Sequence, residues 1–210
     1  MRARTFWGLA LFLAVHGPAV GDDVSYAVFS ESYSVAWSGT GLGRATISLS
    51  ALPDKGCYRY ETVTRPMALV RWVYGSPRET AEFCVVDGQL RPRHYEFVND
   101  KRSKDTYTLD FDWIARKVKR VKGGEITLRD LPDSAYDPLS LRQAARAWLI
   151  SAPMETEREF ILVDDDHMRP YRFALKGSEL VKTTQGEFEA LRLERVDAPN
   201  KSLRLWFAPA

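Results

Sequence analysis

The stretch Asp137–Ile150, DPLSLRQAARAWLI, is the one segment of the chain with a clear helical period. Asp137 suits an N-cap, because its carboxylate accepts from the free N–H groups of a first helical turn. Pro138 suits the first helical position, where its fixed φ fits and its missing N–H costs nothing. Leu141, Ala144, Ala145, Trp148 and Leu149 follow the i, i+3, i+4, i+7, i+8 spacing of one face. Arg142, Gln143 and Arg146 fall on the other side, and Pro153 stops the helix. The rest of the chain reads as short strands, so they must pack around this helix. Its alanine-rich stripe permits close approach to a curved sheet. Such a helix either fills a core or lines a ligand cavity.

Toward the N-terminus, Tyr107, Leu109, Phe111 and Trp113 alternate with Thr106, Thr108, Asp110 and Asp112, the pattern of a strand with one dry and one wet face. Ile114–Lys122 returns antiparallel. Asp87-Gly88 is a hairpin signal between two strand patterns. Ala45, Ile47 and Leu49 mark a half-buried strand after a Gly39–Gly43 turn. Met67–Tyr74 (MALVRWVY) is apolar without a period and fits a short helix or a strand. Beyond the helix, Glu159–Val163 and Arg169–Leu175 flank Asp164-Asp165-Asp166, and Leu175–Lys182, Phe188–Val196 and Leu203–Phe207 complete the strands. The expected fold is mainly β: a single curved antiparallel sheet or half-barrel of about ten or more strands, with one main helix at 137–150.

Met1–Gly21 has the form of a secretory signal peptide. Arg2 and Arg4 precede an apolar run, Phe6–Val15, too short to span a bilayer. Ala19 and Gly21 are small residues before an expected cleavage between Gly21 and Asp22. The expected protein is one β-rich domain, 22–210, secreted across the inner membrane and periplasmic in a Gram-negative source, with no transmembrane segment. Without Arg2 and Arg4 the 30 basic residues fall to 28, equal to the 28 acidic ones. A charge near zero argues against a nucleic-acid partner, which needs a basic excess.

Export allows a disulfide between Cys57 and Cys84, the only two cysteines. They fall on strands at about 57–63 and 78–86, and an antiparallel register with Val63 opposite Arg78 places them opposite each other. Nothing in the sequence fixes that register. The spacing is far from C-x-x-C, which disfavours a redox pair.

Several strings in order carry a resemblance: LRPRHYEF from Leu90, Phe111-Asp112-Trp113, Asp137-Pro138-Leu139-Ser140, GEFEALRLERV from Gly186, and LWFAP from Leu205. In order and spacing they resemble the bacterial exported family catalogued as domain of unknown function 3108. The resemblance implies an envelope-associated β-rich domain and no activity. Members continue past the Ala-Pro with a further short strand, so the last sheet edge is expected to differ where this chain stops at Ala210. The architecture is also similar to the half-barrels of periplasmic lipoprotein carriers, an analogy of fold alone.

Little in the sequence carries chemistry. Asp164, Asp165, Asp166 and His167 form the most ligand-like cluster, yet they lack calcium-loop spacing and a second nearby histidine, so a solvated turn is the simpler account. No Gly-x-Ser-x-Gly elbow or glycine-rich phosphate loop is present. No catalytic residue, metal site or cofactor is assigned. Arg116, Lys117, Lys119, Arg120 and Lys122 form a basic run suited either to anionic headgroups or to guarding a strand against aggregation. The candidate ligand surface is Tyr107, Leu109, Phe111 and Trp113 on the strand with Leu141 and Trp148 on the helix, provided the half-barrel is incompletely filled. The expected function is a non-enzymatic exported binding or accessory domain for an apolar ligand, a lipid or a lipidated partner. The alternatives are an interaction module of an envelope protein assembly, and a hydrolase with an unrecognised site.

Overall fold

The computed structural model describes residues 26–37, 40–151, 154–183, 186–198 and 203–208. Gly21 and Asp22, the two residues of the expected signal cleavage, lie outside the described residues. So do the rest of the leader, Pro153 and the end at Ala210. The described chain is mainly β, and its strands form two open sheets. The larger is an antiparallel meander of eight strands: β1 (Phe29–Trp37), β2 (Thr40–Ala51), β3 (Cys57–Pro66), β4 (Pro77–Val86), β5 (Gln89–Asn99), β6 (Tyr107–Asp112), β7 (Lys117–Lys122) and β8 (Glu125–Asp130). Each strand pairs with its successor, as short turn-rich connections favour. A helix, α1 (Ala68–Tyr74), links β3 to β4. Val63 stands opposite Arg78 and Cys57 opposite Cys84, and the two cysteines are disulfide-bonded.

The second sheet has five strands. In chain order they are β9 (Ala135–Tyr136), β10 (Glu157–Val163), β11 (Met168–Thr183), β12 (Gly186–Arg195) and β13 (Arg204–Phe207). Their spatial order follows the chain, and only the β9–β10 pair is parallel. The segments Arg169–Leu175 and Leu175–Lys182 are one strand, β11, bulged between Leu175 and Ser178. There Gly177 takes a positive φ that a side chain would resist.

The main helix, α2 (Ser140–Ser151), lies between the sheets. Leu141, Ala144, Ala145, Trp148 and Leu149 pack on Phe160, Leu162, Phe173 and Leu193 of the five-stranded sheet. The opposite, polar side meets the eight-stranded sheet. Gln143 is only 6 % exposed, and it and Arg142 lie beside the Tyr60 hydroxyl. A second core fills the inner face of the large sheet with Leu49, Tyr60, Phe83, Tyr95, Leu109 and Val118, closed by Leu131, Ala135 and Leu139. Tyr136 touches both cores. The stripe of the sequence thus covers one sheet, and its polar side, with Gln143 buried and Arg142 and Arg146 half-buried, faces the other.

Asp137 caps α2: its Oδ1 accepts from the N–H groups of Leu139 and Ser140, each at 2.9 Å. The residue is fully buried and its Oδ2 has no hydrogen-bond partner. Burial raises its pKa from 3.8 to about 6. The sign follows. Because the folded chain holds this proton more tightly than the unfolded one, the stabilisation is complete below about pH 3.8 and is lost as the pH rises through about 6, a difference of about 3 kcal/mol. Asp197 acts oppositely: hydrogen bonds from Arg195 lower its pKa to about 2, so its contribution is lost as the pH falls from 3.8 through 2. From these two groups the expected stability maximum lies near pH 4. Asn accepts the same two bonds without a charge, so Asp137→Asn should flatten the loss above pH 4. Urea unfolding across pH checks it, and parallel wild-type and variant profiles would sink the account.

Candidate functional site

The six residues of the sequence-derived ligand surface do not form one surface. Tyr107, Leu109 and Phe111 are buried in the core of the eight-stranded sheet, with Trp113 packed at its margin. Leu141 and Trp148 belong to the other core, because α2 turns its apolar stripe toward the five-stranded sheet. Trp113 leaves the expected strand face because the chain turns there. Asp112 Oδ1 accepts from the N–H groups of Ile114 and Ala115, and the Trp113 indole donates to the Pro92 carbonyl at 2.7 Å.

The charged clusters are taken up within the fold. Asp165 is bound by Arg120 at 2.6 Å and by Lys122, while Arg129 donates to the carbonyls of Asp164 and Asp165. The Asp164–Asp166 turn therefore clasps the β10–β11 connection onto β7 and β8. Of the basic run, Arg116, Lys117 and Lys119 also have partners, Asp133, Asp130 and Asp110. Among the described residues, no group of three or more His, Cys, Asp and Glu is placed to hold a metal ion. His94 Nδ1 lies 2.7 Å from Asp110 Oδ1, both side chains more than one-third exposed. This pair sits in a row of surface charges on the outer face of the sheet, flanked by Glu82 and Lys119.

The unabsorbed feature is α1. Seven residues are too few for a stable helix in water, and its ends are held by neighbours. Gly75 takes a positive φ at the C-cap and donates to the Arg71 carbonyl. The Asn99 side chain donates to the Tyr74 carbonyl at 3.0 Å, and Asp100 accepts from Ser76 N at 2.7 Å. A Cβ at Gly75 would lie 2.0 Å from Asn99 Oδ1, so the cap requires glycine. No residue of α1 is buried. Leu69 and Trp72 are 77 % and 78 % exposed, and Met67, Val73 and Tyr74 are exposed beside them. Open grooves of about 540 and 460 Å³ flank its base; the first is lined by Val35, Gly43, Arg44 and Met67, the second by Val63, Arg71, Arg78 and Asp100, and Arg65 and Pro66 border both. The sequence pointed to this segment only as an apolar run without period. That its side chains face solvent follows from α1 standing off the end of the sheet.

Among the described residues no helix is long and apolar enough to cross a membrane. The family model described as "Protein of unknown function (DUF3108)" matches residues 32–210. The chain belongs to that family. No curated protein and no solved structure matches it.

Proposed function

We propose that this member of the family is an exported, non-enzymatic binding protein of the cell envelope that takes an apolar partner, the acyl part of a lipid or of a lipidated protein, on α1. The observation that carries this reading is the exposure of α1: five large apolar side chains in eight residues, none buried by the fold. Burying one such side chain stabilises by roughly 1.5–3 kcal/mol, and this protein leaves that energy to a partner. Contiguous exposed apolar surface of this kind marks interaction sites. Export is supported by the signal-like pattern of Met1–Gly21 ahead of Asp22 and by the Cys57–Cys84 bond, which persists in oxidising compartments.

The test is titration with a synthetic N-palmitoylated peptide, followed by isothermal titration calorimetry. The double variant Leu69→Ser/Trp72→Ser should bind at least about tenfold more weakly, since each loss is worth on the order of 1 kcal/mol or more. Neither side chain contributes to the core, so folding should be retained. Unchanged binding in that variant would overturn the reading.

A further inference from the structure

Around α1 stand cations that the fold leaves without a carboxylate partner. Many cations elsewhere meet carboxylates, as Arg59 does Glu82, Lys117 Asp130 and Arg195 Asp197. Around α1 four exposed cations do not. Arg44 and Arg65 rise from β2 and β3 at the groove under Met67. Lys101, Arg102 and Lys104 lie in the β5–β6 loop, whose first residues cap the C-terminus of α1. Arg102 stands over the Tyr74 ring at 5.7 Å. Among the described residues Arg44, Arg65, Lys101 and Lys104 make no ion pair, and all four are exposed. The carboxylates of the β5–β6 loop, Asp100 and Asp105, are shared with Arg71 and Arg102 at 3.5 and 3.9 Å, and Glu61 of β3 is taken by Arg78. A chain whose positive and negative charges otherwise nearly cancel thus gathers a local positive excess around the exposed apolar side chains of α1.

We infer that α1 and the cations around it form a docking face for an anionic phospholipid bilayer, with Leu69 and Trp72 entering the interface and Arg44, Arg65, Lys101 and Lys104 meeting lipid phosphates. This rests on α1 being the binding element. Tryptophan and tyrosine are the side chains that settle at headgroup level, having an apolar body and a polar edge. Cations beside an interfacial apolar face add attraction that depends on anionic lipid and is screened by salt. A protein partner of α1 would need neither a ring of unpaired cations nor aromatic residues at the exposed turn. The pairing of the two features is what selects a lipid surface.

Vesicle co-sedimentation separates this inference from the reading beneath it. The protein should sediment with phosphatidylcholine vesicles containing phosphatidylglycerol, far less with phosphatidylcholine alone, and should be released by raised salt. Lys101→Gln/Lys104→Gln should weaken binding to the anionic vesicles by about 30-fold, since each cation contributes roughly fivefold, and should leave palmitoyl-peptide binding unchanged. Leu69→Ser/Trp72→Ser should weaken both by at least about tenfold. If the protein ignores phosphatidylglycerol, or the charge variant binds like wild type, the bilayer inference falls while the α1 reading stands on its peptide result. Pelleting without vesicles that α1 substitutions cure would show a second copy on this face, and would also overturn the inference. If neither ligand responds to α1 substitutions, both fall.

Discussion

Trp148→Ala should destabilise the protein by about 3–5 kcal/mol, the cost of truncating a fully packed tryptophan, measured as the change in free energy of urea unfolding. Trp148 is 1 % exposed and meets Phe160 edge-on at 6.1 Å, and Phe160 meets Phe173 in turn at 6.2 Å. Arg158 covers the other side of the indole, its guanidinium 5.6 Å from the ring centroid. These contacts join α2 to β10 and β11, so the void left by alanine cannot be closed without moving a helix held by both sheets. A loss of this size would consume much of the 5–15 kcal/mol that a domain typically has. The same substitution tests where an apolar ligand enters. A tryptophan that lined a ligand cavity would cost little when truncated and would alter palmitoyl-peptide binding. A core tryptophan does the reverse. Trp148→Phe should cost less than alanine, because it keeps most of the packing and removes an indole N–H that has no partner here.

The local periods of the sequence carry much of this architecture. The alternation through Tyr107, Leu109 and Phe111 is β6 with those three residues buried, and the Asp137 cap and apolar stripe are α2. What local pattern does not contain is which surface meets which. The polar side of α2 would ordinarily face water. Here Gln143 is buried and Arg142 half-buried, because Tyr60, some 80 residues earlier, packs beside them. The division into two sheets has the same origin: α2 interrupts the meander, and strand order across a helix is a long-range choice. Likewise the run at Asp164–His167 looked like a ligand cluster or a solvated turn because its partners, Arg120, Lys122 and Arg129, are distant in sequence. The Gly39–Gly43 segment shows the converse. Its glycines read as a turn, but Gly41 and Gly43 lie within β2, where a Cβ on Gly43 would come 2.4 Å from the Arg65 carbonyl oxygen. Glycine there serves the close approach of β2 to β3 rather than a reversal. The candidate site was the least legible part. A continuous apolar run predicts burial, and only the position of α1 off the sheet end exposes it.

Replacing both cysteines, Cys57→Ser/Cys84→Ser, should lower the stability by roughly 3.5 kcal/mol, the chain-entropy cost of releasing a closed loop of this length. The bonded residues are 27 positions apart, and the loop they close contains β3, α1 and most of β4. Adding reductant to the wild type should shift its urea midpoint by a similar amount and leave the double variant unmoved. A wild-type midpoint indifferent to reductant would remove the bond from the account of stability. The bond lies at the end of the β3–β4 pair remote from α1, since Cys57 faces Cys84 while Val63, near the helix, faces Arg78. Its loss therefore acts on the unfolded chain, which regains the freedom of the open loop, and leaves the caps of α1 from Asn99 and Asp100 in place. The fraction of the double variant that remains folded should bind palmitoyl peptide and anionic vesicles as the wild type does. A folded variant that had lost both would mean that the disulfide shapes α1 itself, and that the strand pairing between Thr62–Glu79 and the helix does not hold α1 alone.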